Sequence, residues 1–395
     1  MAAMKTFVAL FVVASLFAVA SGVRFLSLDA SLLLGADPFA LERVDNINYA
    51  LALASLTGLA QHADAVCLQG YWLPYQVQKL QAILTPYLPH SYSATPAAGN
   101  CSCQPAELTG LFTCLSGCIT GGLNALVTNT TTFPDLLTTC MGNVGKDVST
   151  CSPYGGYSGN VLFSRSPLTQ PTTRSLALAP GLFNSDAIFA TSSFSGVGNV
   201  QLVCTQLQPA GPVNASVAAA LSGVNYLQTQ TLQGLIETAV NQTRVSQVVV
   251  MGNFKQGPTI VNATSGATLV EPINEAYYGL WLQALYQDPA AADQRCTYCN
   301  SLSIVSPYLV NTMSSHIFVR GFDNNANVLS VTGKITFDNT TTILDLTSGS
   351  TPQARTVPYS PNYGVQVDIS TVPSSASALL PATAALLRYV AALAF

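Results

Sequence analysis

The strongest constraint on the fold is an alternation near the start of the chain. Arg24–Leu28 is a short apolar run that ends on Asp29, and Asp37, with Pro38 after it, opens a segment with Val44, Ile47, Leu51 and Leu56 near helical spacing. Ala65–Gln69 is then short, apolar and strand-like, and Pro74–Leu88 carries Val77, Leu80 and Leu84 on one helical face. Strand, helix, strand, helix predicts an α/β domain. Further strands are expected at Asn160–Ser164, Ala187–Ser192 and Val200–Gln206, and their close spacing favours antiparallel pairing. Asn214 to about Gln242 reads as a long helix that leads into Gln247–Phe254, the most apolar strand of the chain. Another helix is expected over Glu271–Asp288, then a strand at His316–Arg320 and a hairpin over Val328–Phe337 that turns at Gly333.

The two ends carry targeting patterns. In residues 1–22, Lys5 precedes an apolar run from Phe7 to Ala20 that closes on Ala18-Val19-Ala20, the layout of a secretory signal peptide. At the other end, residues 346–377 read as a Ser/Thr/Pro-containing stalk, and residues 378–395 as an apolar tail of the glycosylphosphatidylinositol-signal type. A short membrane anchor or a plain C-terminal helix is the alternative for that tail. Between the ends lies a domain over residues 23–345. This arrangement places the protein outside the cell, attached to a membrane through its tail.

Ten cysteines suit that compartment. Six of them, from Cys101 to Cys151, crowd a Gly/Thr/Ser-rich stretch that reads as a disulfide-stapled insertion over residues 97–157. Cys296 and Cys299 are expected to close a local loop, whereas Cys67 and Cys204 are either buried thiols or a bridge between strands. Only 8% of residues are charged and the net charge is −4, so glycans at Asn100, Asn129, Asn214, Asn241, Asn262 and Asn339 would supply the missing surface polarity. The same charge balance leaves no basic footprint for a nucleic-acid partner. An unidentified extracellular ligand or protein is the expected partner.

The order of segments resembles the endonuclease/exonuclease/phosphatase superfamily of DNase I-like and neutral-sphingomyelinase-like proteins. The carriers are Asp29 at the end of the first strand, Cys67-Leu68-Gln69-Gly70 with Trp72, and the run Gly159–Leu168. To these are added Val203–Leu207, Val250–Lys255 with Gly257-Pro258-Thr259 after it, and Ser315–Val319. The resemblance implies a four-layer α/β/β/α sandwich and metal-dependent cleavage of phosphoric esters. It also marks what this chain lacks. Gly70 stands where the family holds its metal-binding Glu, Gln206 where it has a His, Asn253 and Lys255 in place of its Asp and Asn, and Ser315 in place of the Asp before the retained His316.

The one carboxylate gained is Asp29, in an Asn position, and it is the candidate metal ligand should any metal bind. Lys255 brings a positive charge where the metal would sit. The expectation is therefore a non-catalytic binding protein with no cofactor. The alternative is a divergent phosphodiesterase using Mg²⁺ or another divalent cation, with His316 as its remaining proton carrier; the plainer reading of His316 is a satisfied histidine at a strand start. A third possibility is a coat component that makes contacts through the Cys-rich insertion.

Overall fold

The computed structural model describes residues 21–30, 58–71, 74–93, 159–176, 185–207, 215–299, 311–323, 325–337, 340–345, 353–358 and 363–371. The Cys-rich insertion, the tail and most of the helix expected over residues 37–62 lie outside these. Sheet I has six strands in the order β12-β15-β1-β2-β4-β3: Val328–Thr336, Gly364–Thr371, Ser21–Asp29, Ala65–Gln69, Val161–Ser164 and His90–Ser93. Sheet II has five in the order β11-β8-β7-β6-β5: Ser315–Arg320, Val248–Asn253, Gly198–Gln206, Asp186–Phe194 and Thr169–Ser175. The remaining strands form two small ribbons, β9 (Ile260–Val261) with β10 (Thr268–Val270) and β13 (Thr340–Asp345) with β14 (Gln353–Pro358).

Parallel neighbours are buried on both faces and so need continuous apolar runs. The two parallel pairs, β1 with β2 and β7 with β8, meet that demand: β2 is buried throughout as AVCLQ and β8 as VVVMGN. One apolar cluster unites inward residues of both sheets, among them Phe25, Cys67, Leu202, Met251 and Ile317. A second packs Leu26, Val66 and Leu68 of sheet I on Leu80 and Leu84 of α1 (Pro74–Leu84). A third packs Val203, Val250 and Phe318 of sheet II on Leu232 and Ile236 of α2 (Ala215–Thr243) and on Tyr278 and Trp281 of α3 (Glu275–Gln283). The order of layers is thus α, β, β, α.

Four expectations are corrected. First, residues 364–371, read as stalk, form β15 between β12 and β1, with Val365, Val367 and Ile369 fully buried, so the domain extends to Thr371 and not to 345. Second, Val328–Thr336 is one strand and not a hairpin. Gly333 serves close approach, since a Cβ there would stand 2.4 Å from the Ala290 backbone nitrogen in the 3₁₀ turn Pro289–Asp293. Third, β1 begins at Ser21, which pairs with Thr371, so Ser21 and Gly22, inside the range expected to be a leader, belong to the sheet. The helix expected over Glu271–Asp288 is also shorter: it stops at Gln283, with Leu285 left-handed at φ 63° just beyond.

Candidate functional site at the strand ends

Side chains alternate along a strand, so the residues that follow the inter-sheet core at its end are fixed by period two. Phe25 and Cys67 point into that core, which puts Asp29 and Gln69 on the same face; Cys204 and Met251 likewise project Gln206 and Asn253, and Ile317 projects Ser315. Backbone register sets Asp29 beside Gln69, Gln206 beside Asn253, and Asn253 opposite Ser315. The floor one layer below is a disulfide, Cys67–Cys204, with an S–S distance of 2.05 Å. It joins β2 to β7 and settles the choice between thiols and a bridge. A second disulfide, Cys296–Cys299, closes the expected local loop.

Asp29 is fully buried. Its Oδ2 accepts from Asn253 Nδ2 at 2.6 Å and from Gln206 Nε2 at 3.2 Å, and Lys255 Nζ stands 3.9 Å away. Lys255 reaches this place from a left-handed backbone, φ 54°, steadied where its carbonyl accepts from Asn274 Nδ2 at 2.8 Å. Burial pushes the Lys255 ammonium below its ordinary pKa, and the Asp29 carboxylate partly restores it. Gln69 donates from Nε2 to the Cys67 carbonyl at 3.1 Å. Among the described residues its Oε1, the Oε1 of Gln206 and the Oγ of Ser315 have no hydrogen-bond partner. At the same end of the sandwich Asn160 Nδ2 donates to Asp186 Oδ1 at 2.7 Å, a second polar tie between the sheets.

The structure brings Asp29, Gln206, Asn253, Lys255 and Ser315 of the sequence reading to one end of the sandwich and adds Gln69, which that reading did not single out as a site residue. Gly70 lies just past β2 at φ 82°, a left-handed turn that glycine adopts without strain. A divalent hard cation seeks several oxygen ligands, carboxylates foremost. Here the five strand ends contribute one carboxylate, Asp29, and an ammonium faces it. Among the described residues no three His, Cys, Asp or Glu side chains converge as a metal site. This donor set does not fit Mg²⁺.

His316 departs from the expectation that it shares this centre. It occupies the opposite face of β11 from Ser315, fully buried, its ring stacked on Phe318 at 5.1 Å and tilted against Tyr278 at 5.3 Å. Nε2 is 2.6 Å from the Gln256 carbonyl and 3.0 Å from the Met313 carbonyl, and two acceptors there require Nε2 to carry its hydrogen. Nδ1 is 2.8 Å from Asp288 Oδ2, which also accepts from the Tyr278 hydroxyl at 3.1 Å. The acid that orients His316 is thus Asp288, 28 residues upstream, and the substitution at Ser315 does not leave the imidazole unoriented. Gln256 is itself fastened, donating to Asn225 Oδ1 at 2.6 Å and accepting from Trp281 Nε1 at 3.1 Å.

No family model matches the sequence, and no curated protein matches it. Solved structures do match in shape. Sphingomyelinase C from Streptomyces griseocarneus aligns at a TM-score of 0.52 and 12% identity, over 89% of this chain and 100% of its own. Beta toxin from Staphylococcus aureus, in a structure with bound magnesium ions, aligns at 0.52 and 10%, over 88% and 99%. An endonuclease/exonuclease/phosphatase family protein from Bacteroides thetaiotaomicron aligns at 0.51 and 8%, over 89% and 98%. The chain has the endonuclease/exonuclease/phosphatase (DNase I-like) fold.

Proposed function

We propose that this protein is a secreted or cell-surface glycoprotein that keeps the DNase I-like fold and acts by binding, without phosphoester hydrolysis. The observation that carries the reading is the enclosure of His316. Both ring nitrogens are taken by protein acceptors and the side chain has no exposure, so no nitrogen faces a substrate. At the strand ends the Lys255 ammonium, 17% exposed, can hold an anionic group of an extracellular ligand, but it supplies neither a proton relay nor an activated water. The test is a hydrolysis panel of sphingomyelin, a bis-aryl phosphodiester and DNA with Mg²⁺, Mn²⁺ or Ca²⁺. The expected result is no turnover above buffer; metal-dependent turnover that disappears in Asp29→Asn or His316→Ala overturns the proposal.

A second reading, a divergent metal-dependent phosphodiesterase, draws on the Asp288–His316 pair, an arrangement suited to proton transfer. It requires Nε2 to leave the Gln256 and Met313 carbonyls when substrate enters. It also requires a divalent cation to bind, so it predicts a rise in Tm with metal that Asp29→Asn abolishes.

Two disulfides support an oxidising compartment. Of the six sequons, Asn241 and Asn262 lie among the described residues. Asn241 is exposed on α2, and Asn262 opens the β9–β10 turn, where its Oδ1 accepts from the Thr264 and Ser265 amides at 2.9 and 3.0 Å and leaves Nδ2 for a glycan. A first strand that starts at Ser21 suits cleavage after Ala20. Attachment through residues 378–395 is checked by release from cells with a phosphatidylinositol-specific phospholipase.

A further inference from the structure

We infer that the protein carries a second ligand site, at the corner of sheet II under α2, that takes a small hydroxylated carboxylate of the sugar-acid kind. The inference does not depend on whether the strand-end cluster is catalytic. A cavity of about 220 Å³ lies between α2 and the strands β5, β6 and β7. Gln201 in its wall is five residues from Gln206, roughly 16 Å along β7 at strand rise, and it faces the helices with Val203. The cavity is therefore separate from the Asp29–Lys255 cluster in both position and face.

Several local features build this space. Edge strand β5 pairs regularly with β6 from Thr172 to Ser175 but shifts register between Thr169 and Thr172, and inside that bulge Gln170 is left-handed at φ 49°. A bulge bends an edge strand away from the regular sheet, and strained residues of this kind gather at ligand clamps. Opposite the bulge, Leu235, Thr238, Ala239 and Gln242 recur at helical spacing on one face of α2. That face is apolar at Leu232 and Ile236, where it packs on the sheet, and becomes amphipathic where it covers the cavity.

The lining specifies the ligand. Arg174 is its one charged residue, exposed at the rim, and it forms none of the ion pairs among the described residues. A guanidinium fork selects a planar carboxylate. Gln201 is 2% exposed; its Nε2 is committed to the Ala190 and Leu202 carbonyls, and its Oε1 has only a long 3.4 Å contact from Thr191 Oγ1, which leaves acceptor capacity for a hydroxyl. Thr172, Thr191 and Thr238 add hydroxyls, while Phe189 and Leu235 offer an apolar surface for the C–H face of a ring. The volume holds roughly seven waters, the size of one monosaccharide. A pyranose bearing a carboxylate satisfies all of these demands.

The test uses the full chain with D-glucuronate, methyl β-D-glucuronide and D-glucose as probes, read by calorimetry and by saturation-transfer NMR. Glucuronate is expected to bind, and glucose, without the carboxylate, to bind about tenfold or more weaker. Arg174→Gln should weaken glucuronate by a similar factor. Thr238→Trp, at an exposed helix position, should block the cavity while circular dichroism and Tm stay near wild type. Binding of the methyl glycoside equal to that of the free acid assigns the source to a glycan terminus; loss of binding in the glycoside assigns it to the free sugar acid. No glucuronate binding at about 10 mM, or equal binding by glucose, Arg174→Gln or Thr238→Trp, overturns the inference and leaves a water-filled corner.

Discussion

Replacement of Lys255 by Met tests the physical account of the strand-end cluster most directly. The ammonium and the buried Asp29 carboxylate are 3.9 Å apart, which at an effective dielectric of about 20 corresponds to about 4 kcal/mol of gross attraction. Burial of the ammonium more than offsets this, since its pKa stays lowered with the carboxylate beside it. The single variant trades that attraction against relief of the burial cost and should stay within about 1 kcal/mol of wild type, with Asp29 still held by amide donors such as Asn253 and Gln206. Asp29→Asn leaves the ammonium buried without its carboxylate and should lose about 2–3 kcal/mol. The double variant should lose less than the sum, with a coupling of about 2 kcal/mol.

Urea denaturation followed by fluorescence measures all four proteins, since Trp281 is fully buried against Phe254, the neighbour of Lys255. Stability against pH supplies an independent sign. The folded-state pKa of Lys255 lies below 10.5, so between that lowered value and 10.5 the unfolded chain binds more protons and stability rises with pH. The Lys255→Met variant should lack this alkaline rise. Additive single variants, with a coupling within about 0.5 kcal/mol, would refute the reasoning and mean that amides alone hold Asp29.

Other perturbations probe separate parts of the frame. Cys67→Ala with Cys204→Ala opens a crosslink over a separation of 137 residues and should cost about 3–5 kcal/mol, seen as a lower urea midpoint. His316→Ala removes a ring that ties Asp288 to two backbone carbonyls and should cost about 3–5 kcal/mol; wild-type stability in that variant would show that the ring is not a structural tie. Gly333→Val drives a side chain into the Ala290 backbone and should cost about 2–3 kcal/mol by the same measurement. Gly70→Glu, the substitution that would restore a carboxylate, should cost about 1–2 kcal/mol from its left-handed backbone alone.

The legible parts of the fold were those where burial on both faces leaves a continuous apolar run, as in β2 and β8, or where a helix follows a capping residue, as α2 follows Asn214. The polar strand β5, TQPTTRS, escaped because an edge strand is half-solvated and tolerates proline. β15 was hidden by its Ser- and Pro-rich surroundings, although the alternation of Val365, Val367 and Ile369 is itself a strand signal. Gly333 suggested a turn because the sequence does not show the backbone that passes over it. Within the site, Asp29, Gln206, Asn253 and Lys255 were readable as strand ends in register. Asp288 was not, because its link to His316 crosses a separation of 28 residues, and adjacency in sequence pointed to Ser315 instead.

The antiparallel pairing of β1 with β15 also sets how the molecule would stand on a surface. Ser21 and Thr371 are register partners at one end of sheet I, while Asp29 marks the other, about 27 Å away over nine residues of strand. Ser21 and Thr371, the first and last described residues, therefore lie at the same pole of the sandwich. A lipid attached beyond Thr371 would moor the domain by that pole and turn the Asp29–Lys255 cluster outward, toward whatever approaches from the medium.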